Sequence, residues 1–190
     1  SLFYTLTPDI VIKAVEDSGF VTSGHYMVLN SYENRVYDLR LEDGNHVIVK
    51  FYRPGRWSRE QILEEHAFLN DLMESEIPVC APLSFPGGGT LHESEGIYFA
   101  IWPRTGGRIP EELNDEELVN LGRLIARIHN SGSVKPAEHR IKLSSASYAL
   151  KPLEFLLEND LLPHHIRGRY SNAVREIADI YSSLSAEVPL

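Results

Sequence analysis

Hydrophobic and polar residues change rhythm partway along the chain. Over roughly the first hundred residues, short apolar runs are broken by polar turns, which predicts strands. Beyond that, apolar residues recur at intervals of three and four, which predicts helices. Thr7-Pro8-Asp9 supplies an N-cap, a proline at the first helical position and a first-turn acid. Ile10, Val11, Ala14 and Val15 form the stripe of a short helix ending at Gly19. Strands are predicted over 26–31, 35–41 and 46–52, the last two joined by the hairpin signal Glu42-Asp43-Gly44-Asn45. A helix is predicted over 58–73, with Ser58 and Gln61 as a capping box and Ile62, Leu69, Leu72 and Met73 as its buried stripe. Pro78 and Pro82 limit 77–83 to an edge strand at most, and 96–102 reads as a buried strand. Residues 103–107 read as a linker. Asn114 then caps a helix over 115–129 whose stripe, Leu118, Leu121, Ile125 and Ile128, is expected in a core. Further helices are predicted over 148–158 and 167–184.

The chain of 190 residues suffices for one domain or two small lobes. No apolar run approaches the ~20 residues that span a bilayer, and no signal-peptide pattern opens the chain, so no membrane partner is expected. A single cysteine, Cys80, excludes an internal disulfide framework and suits a reducing cytoplasm. Eighteen basic against 27 acidic residues, net −9, argue against nucleic acid as a partner. A nucleotide needs only local positive charge and stays admissible.

Local positive charge is what Lys50 offers. It sits in the apolar run Val47-Ile48-Val49-Lys50-Phe51, where a lysine is costly unless it meets a negative charge. The polar turn from Ser31 to Asn34 separates two strands, and free amides in such a turn can hold an anion. Glu65 falls three residues after Ile62 and four before Leu69, on the apolar stripe of its helix, while Glu64 is turned away. These three features suggest a phosphate site roofed by a turn and closed by an ammonium. The plainer alternatives are that Ser31 stabilises its turn, that Lys50 snorkels to water, and that Glu65 lies at the stripe's edge. Pro86-Gly87-Gly88-Gly89 is read as a turn, since no helix start follows it. His129 reads as a structural C-terminal histidine. His164-His165 lacks metal-ligand spacing, and no metal site is expected within the chain.

The order of elements resembles the amino-terminal lobe of the protein-kinase-like fold followed by the start of its helical lobe. The implied fold class is α+β: an antiparallel five-stranded sheet with one main helix over residues 1–103, the nucleotide-binding lobe, then a partial helical lobe over 104–190. No G-x-G-x-x-G stands between the first two strands. The turn Asn30-Ser31-Tyr32-Glu33-Asn34 is instead similar to that of the aminoglycoside phosphotransferase and choline kinase branch. Within it, 29–37, 49–54, Arg56-Trp57, 61–66 and Gly122-Arg123 to His129 resemble the bacterial stress response kinase A family, densest over about 29–130. The resemblance implies a cytoplasmic, ATP- and Mg²⁺-dependent kinase acting on Ser/Thr of proteins, itself included. It assigns Ser31 to the ATP phosphates, Lys50 to the phosphate grip and Glu65 to its ion pair. It makes the backbone of Trp102 to Arg104 the adenine hinge, with Ile48 and Ile101 as apolar walls.

That family's catalytic loop, H-G-D-x-H-x-x-N, and its later metal-binding aspartate do not occur in the sequence. Both are expected beyond Leu190, so the chain is expected to be an inactive amino-terminal fragment with weak nucleotide affinity and exposed apolar helix surface. Three functions remain open at this level: a stress-response-type protein kinase, a kinase of small alcohols such as aminoglycosides or choline, and a non-catalytic binding module on the same scaffold.

Overall fold

A computed structural model of the chain describes Phe3 and residues 6–107 and 110–187. Val188 to Leu190, beyond which the catalytic loop is expected, lie outside the described residues. The chain forms two compact units, 1–139 and 140–190. The division falls after the helix over 115–132.

The first unit is built on a sheet of strands β1 (Thr22–Leu29), β2 (Arg35–Leu41), β3 (His46–Phe51), β4 (His92–Ser94) and β5 (Ile97–Pro103). Their order is β1-β2-β3-β5-β4 and every pairing is antiparallel. Period-two alternation gives the sheet two faces. Tyr37, Leu39, Val47, Val49, Phe51, Phe99 and Ile101 point to one face, where helix α1 (Pro8–Asp17) covers them with Val11, Ala14 and Val15. Phe51 stacks on Phe99 at 5.0 Å, and Phe85 meets Phe99 edge-on at 5.6 Å.

The turns follow their chemistry. Gly44 takes φ +86° in the β2–β3 hairpin, a backbone region that favours glycine. Gly19 ends α1 at φ +100°, and a Cβ there would come within 3.0 Å of Pro86. The fifth strand is not the segment expected. Residues 77–83 form no strand, because Pro78 and Pro82 have no N–H to donate. The segment lies beside β5 through one bond, Leu83 N to Ile101 O, 2.7 Å. The edge is taken by the three-residue β4, joined to β5 by a two-residue turn in which Glu95 and Gly96 both have positive φ.

Helix α2 (Arg59–Glu74) packs on the second face, with Ile62 against Tyr52 and Ala100. Its capping box is present: Ser58 Oγ accepts from Gln61 N and Gln61 Oε1 from Ser58 N. Met73, expected in the stripe, is half exposed, and His66 is buried instead. His66 bonds the Tyr52 hydroxyl through Nε2 and the Thr90 hydroxyl through Nδ1, each at 2.9 Å. The back of α2 is gripped by the segment that follows the sheet. Arg127, on helix α3 (Asp115–Gly132), donates to the Ser75 and Glu76 carbonyls, and Lys135 pairs with Asp71 at 2.8 Å. Glu64 accepts the amides of Glu138 and His139 at 2.5 and 3.0 Å.

Leu118, Leu121 and Ile125 recur on α3 as expected, but they are exposed rather than in a core. The second unit holds a π-helical turn (Ala146–Leu150), α4 (Lys151–Glu158) and α5 (His164–Glu187), with Leu153 and Ala178 buried. Helix α5 starts three residues earlier than predicted and takes in the exposed His164 and His165.

Burial lowers the His66 pKa from 6.5 to about 4; nearby Lys50 also lowers it, while Glu65 opposes. The folded state therefore holds this imidazole neutral where the unfolded chain would bind a proton. Its contribution to stability is complete above about pH 6.5 and is lost as pH falls toward 4. Urea denaturation should show the wild type losing about 2 kcal/mol of its advantage over His66→Gln between pH 7 and 5. An advantage that stays constant contradicts a neutral buried imidazole.

Candidate functional site

The second face of the sheet carries the chemistry. Residues directly opposite one another share a face, so the register lays out rows across it. One row is Leu29, Val36, Lys50 and Ala100; the next is Met27, Asp38, Ile48 and Trp102. The turn that holds Ser31 continues from the first row, past Lys50.

The Lys50 ammonium stands 4.6 Å from the Tyr52 ring centre and 4.8 Å from that of Trp102. Glu65 Oε1 is 3.9 Å from its Nζ. That distance exceeds a hydrogen bond, so the pair interacts as separated charges. Cation–π contacts of this kind contribute about 0.5–2 kcal/mol each. They offset part of the cost of holding a lysine that is only one-quarter exposed. The charge is oriented and partly desolvated, an arrangement suited to gripping an anion. Ser31 is exposed in its turn.

Beside Lys50 lies a cavity of about 390 Å³ walled by Met27, Leu29, Ile48 and Trp102, with Pro103 to Thr105 and Cys80 at its rim. Its size and mainly apolar lining suit a flat heterocycle. Ile48, one of the two residues expected as apolar walls, lines this cavity. Ile101 does not: it is fully buried on the opposite face, packed with Val49 and Phe99, because strand alternation sends neighbours of Trp102 the other way. The wall on β5 is the Trp102 side chain.

The hinge backbone is partly committed. Arg104 N donates to His46 O at 3.3 Å and Tyr52 N to Tyr98 O at 2.8 Å. Bonded and non-bonded pairs alternate between those two points, which makes Ile48–Trp102 a bonded pair. Trp102 and Arg104 therefore turn their backbone groups toward β3, and Pro103 between them has no N–H.

Sequence reasoning missed three groups here. Asp38 is buried, and its carboxylate joins His46 Nδ1 at 2.7 Å to Arg104 Nε at 3.1 Å, clipping the hinge to β2 and β3. The available signal was its place two residues after Val36 on the same strand. Thr105 and Cys80 face each other at 3.2 Å at the cavity rim, a long-range contact with no local signature. Among the described residues no group of three or more His, Cys, Asp or Glu side chains could hold a metal ion. Among them, too, no helix is long and apolar enough to cross a membrane.

Residues 26–189 match the Phosphotransferase enzyme family, APH. Stress response kinase A of Escherichia coli O157:H7 is 38% identical over 175 residues, which cover 92% of this chain and 53% of the relative. Serine/threonine protein kinase RdoA of Salmonella typhimurium strain LT2 is 40% identical over 171 residues, covering 90% and 52%. The chain thus spans about half the length of the curated relatives it matches. Among solved structures, amicoumacin kinase hAmiN in complex with AMP-PNP, Ca²⁺ and Ami superposes with a TM-score of 0.68 at 16% identity, over 92% of this chain and 54% of that one. Spectinomycin phosphotransferase, in complex with ADP and spectinomycin, gives 0.64 at 11% identity, over 96% and 59%. The fold is α+β and protein-kinase-like, with a five-stranded antiparallel sheet and one main helix ahead of further helices. The chain belongs to the APH phosphotransferase enzyme family.

Proposed function

We propose that the chain is the ATP-binding part of a cytoplasmic Ser/Thr protein kinase of the stress-response type. The observation that carries this reading is the Lys50 ammonium, set between Glu65 and the faces of Tyr52 and Trp102, the latter of which also walls the apolar cavity. The base lies between Ile48 and Trp102. Its amidine edge meets the Pro103 carbonyl and the Thr105 N–H, the hinge groups left over once Trp102 and Arg104 are committed to β3. The triphosphate runs toward Lys50 and the amides of the Ser31 turn. Mg²⁺ would neutralise phosphate charge during transfer. The group that orients the acceptor hydroxyl would come from the loop H-G-D-x-H-x-x-N and the metal ligand from the later aspartate, so the part proposed for this chain is nucleotide binding. The two lobes meet near residue 103.

A protein acceptor, the chain itself included, is favoured by the relatives at 38–40% identity, one of them named a Ser/Thr protein kinase. A small-alcohol acceptor is the second reading, favoured by the fold neighbours named amicoumacin kinase and spectinomycin phosphotransferase.

Lys50→Met should lower Mg-ATP affinity tenfold or more, about 1.4 kcal/mol, in a calorimetric or fluorescent-nucleotide titration. Glu65→Gln should lower it less, because the carboxylate is only a separated-charge neighbour of the ammonium. Unchanged affinity in Lys50→Met contradicts the site. Labelled ATP offered to a chain that carries the catalytic loop, with protein and small-alcohol acceptors side by side, should label protein Ser/Thr. Label on the alcohol alone selects the second reading.

A further inference from the structure

The turn between β1 and β2 lacks the glycines that let a phosphate loop wrap closely around its ligand, so its geometry must be fixed from outside. Two consecutive turn residues reach the loop between β3 and α2. Glu33 Oε1 lies 2.5 Å from Arg56 Nε, and Asn34 Oδ1 accepts from Arg53 N at 3.3 Å. Arg56 in turn stands over the Trp57 ring, 4.9 Å from its centre. Trp57 packs against the cluster of Tyr52, Ile62 and Ala100, and Tyr52 is one of the rings beneath the Lys50 ammonium. A continuous chain of contacts therefore runs from the turn to the phosphate grip.

Glu33 is less than one-third exposed and Arg56 about half. Exposed ion pairs usually contribute little, because two long side chains must be ordered. Here the guanidinium is already ordered by its stacking on Trp57, so less freedom is lost in the bond. Charge supplies a second argument. A carboxylate within a triphosphate-holding turn repels the ligand unless a cation neutralises it.

We propose that Glu33 and Arg56 form a latch that fixes the 31–34 turn over the triphosphate, with Arg56 also cancelling the Glu33 charge. Both are positioning residues, and the proposal rests on the reading of this turn as the phosphate site. It predicts an asymmetry. Arg56→Gln leaves a bare carboxylate beside the phosphates, whereas Glu33→Gln loosens the turn without adding repulsion. The Glu33→Gln/Arg56→Gln double variant should then bind ATP better than Arg56→Gln alone. A merely structural pair would not produce that recovery.

The test combines titrations of ATP and adenosine with backbone ¹⁵N order parameters for residues 31–34. Arg56→Gln should lower ATP affinity about tenfold and Glu33→Gln about threefold. Adenosine affinity should stay within twofold throughout. Order parameters in the turn should fall in both single variants and recover in the charge swap Glu33→Arg/Arg56→Glu. A wild type that binds ATP while Arg56→Gln matches it overturns the latch alone. Unchanged order parameters in both single variants, or additive losses in the double variant, also overturn it. A wild type that does not bind ATP better than adenosine removes the phosphate reading itself, and the latch with it.

Discussion

A lysine in the middle of a sheet face needs partners that offset its lost hydration. For Lys50 these include the faces of Tyr52 and Trp102, which stabilise the ammonium, and Glu65, whose Oε1 stands at 3.9 Å, near enough to orient the charge. Everything else in the first unit fixes the three elements that supply those groups. Strand alternation places Lys50 and Trp102 on one face and sends Val49 and Ile101 into the core behind them. The core is therefore what aims the site.

Helix α2 is the remaining variable, because it carries Glu65. It is held from three directions. Its start is capped by Ser58, its inner face is pinned by His66 between Tyr52 and Thr90, and its outer face is gripped through Glu64, Asp71 and its C-terminal carbonyls by the segment from Arg127 to His139. That grip explains why residues 115–139 belong to the first compact unit although they follow the linker. A helix tied on both faces holds its carboxylate in place without help from a ligand.

Local signals were enough for the strands β1 to β3, the Ser58–Gln61 capping box, the Asn114 cap and the pairing of Lys50 with Glu65, because each rests on spacing within one element or on a costly residue in an apolar run. What escaped depended on contacts across the sheet. Strand β4 is three residues long and polar, so no period could reveal it. Ile101 and Trp102 are adjacent and both apolar, and only the register with β3 decides which of them shares a face with Lys50. Asp38 looked like an ordinary strand position until His46 and Arg104 were brought beside it. His66 replaced Met73 on the buried face of α2 because two hydroxyls, one of them 24 residues away, satisfy both of its ring nitrogens. The α3 stripe was legible as a period, but period alone does not say whether a face is covered.

The most direct test is a crystal structure of the protein with a non-hydrolysable ATP analogue. The account predicts the base between Ile48 and Trp102 and a phosphate oxygen about 3 Å from Lys50 Nζ, with Glu65 still beside the ammonium. An ordered analogue whose phosphates lie away from Lys50, or whose base lies outside the cavity, would contradict it.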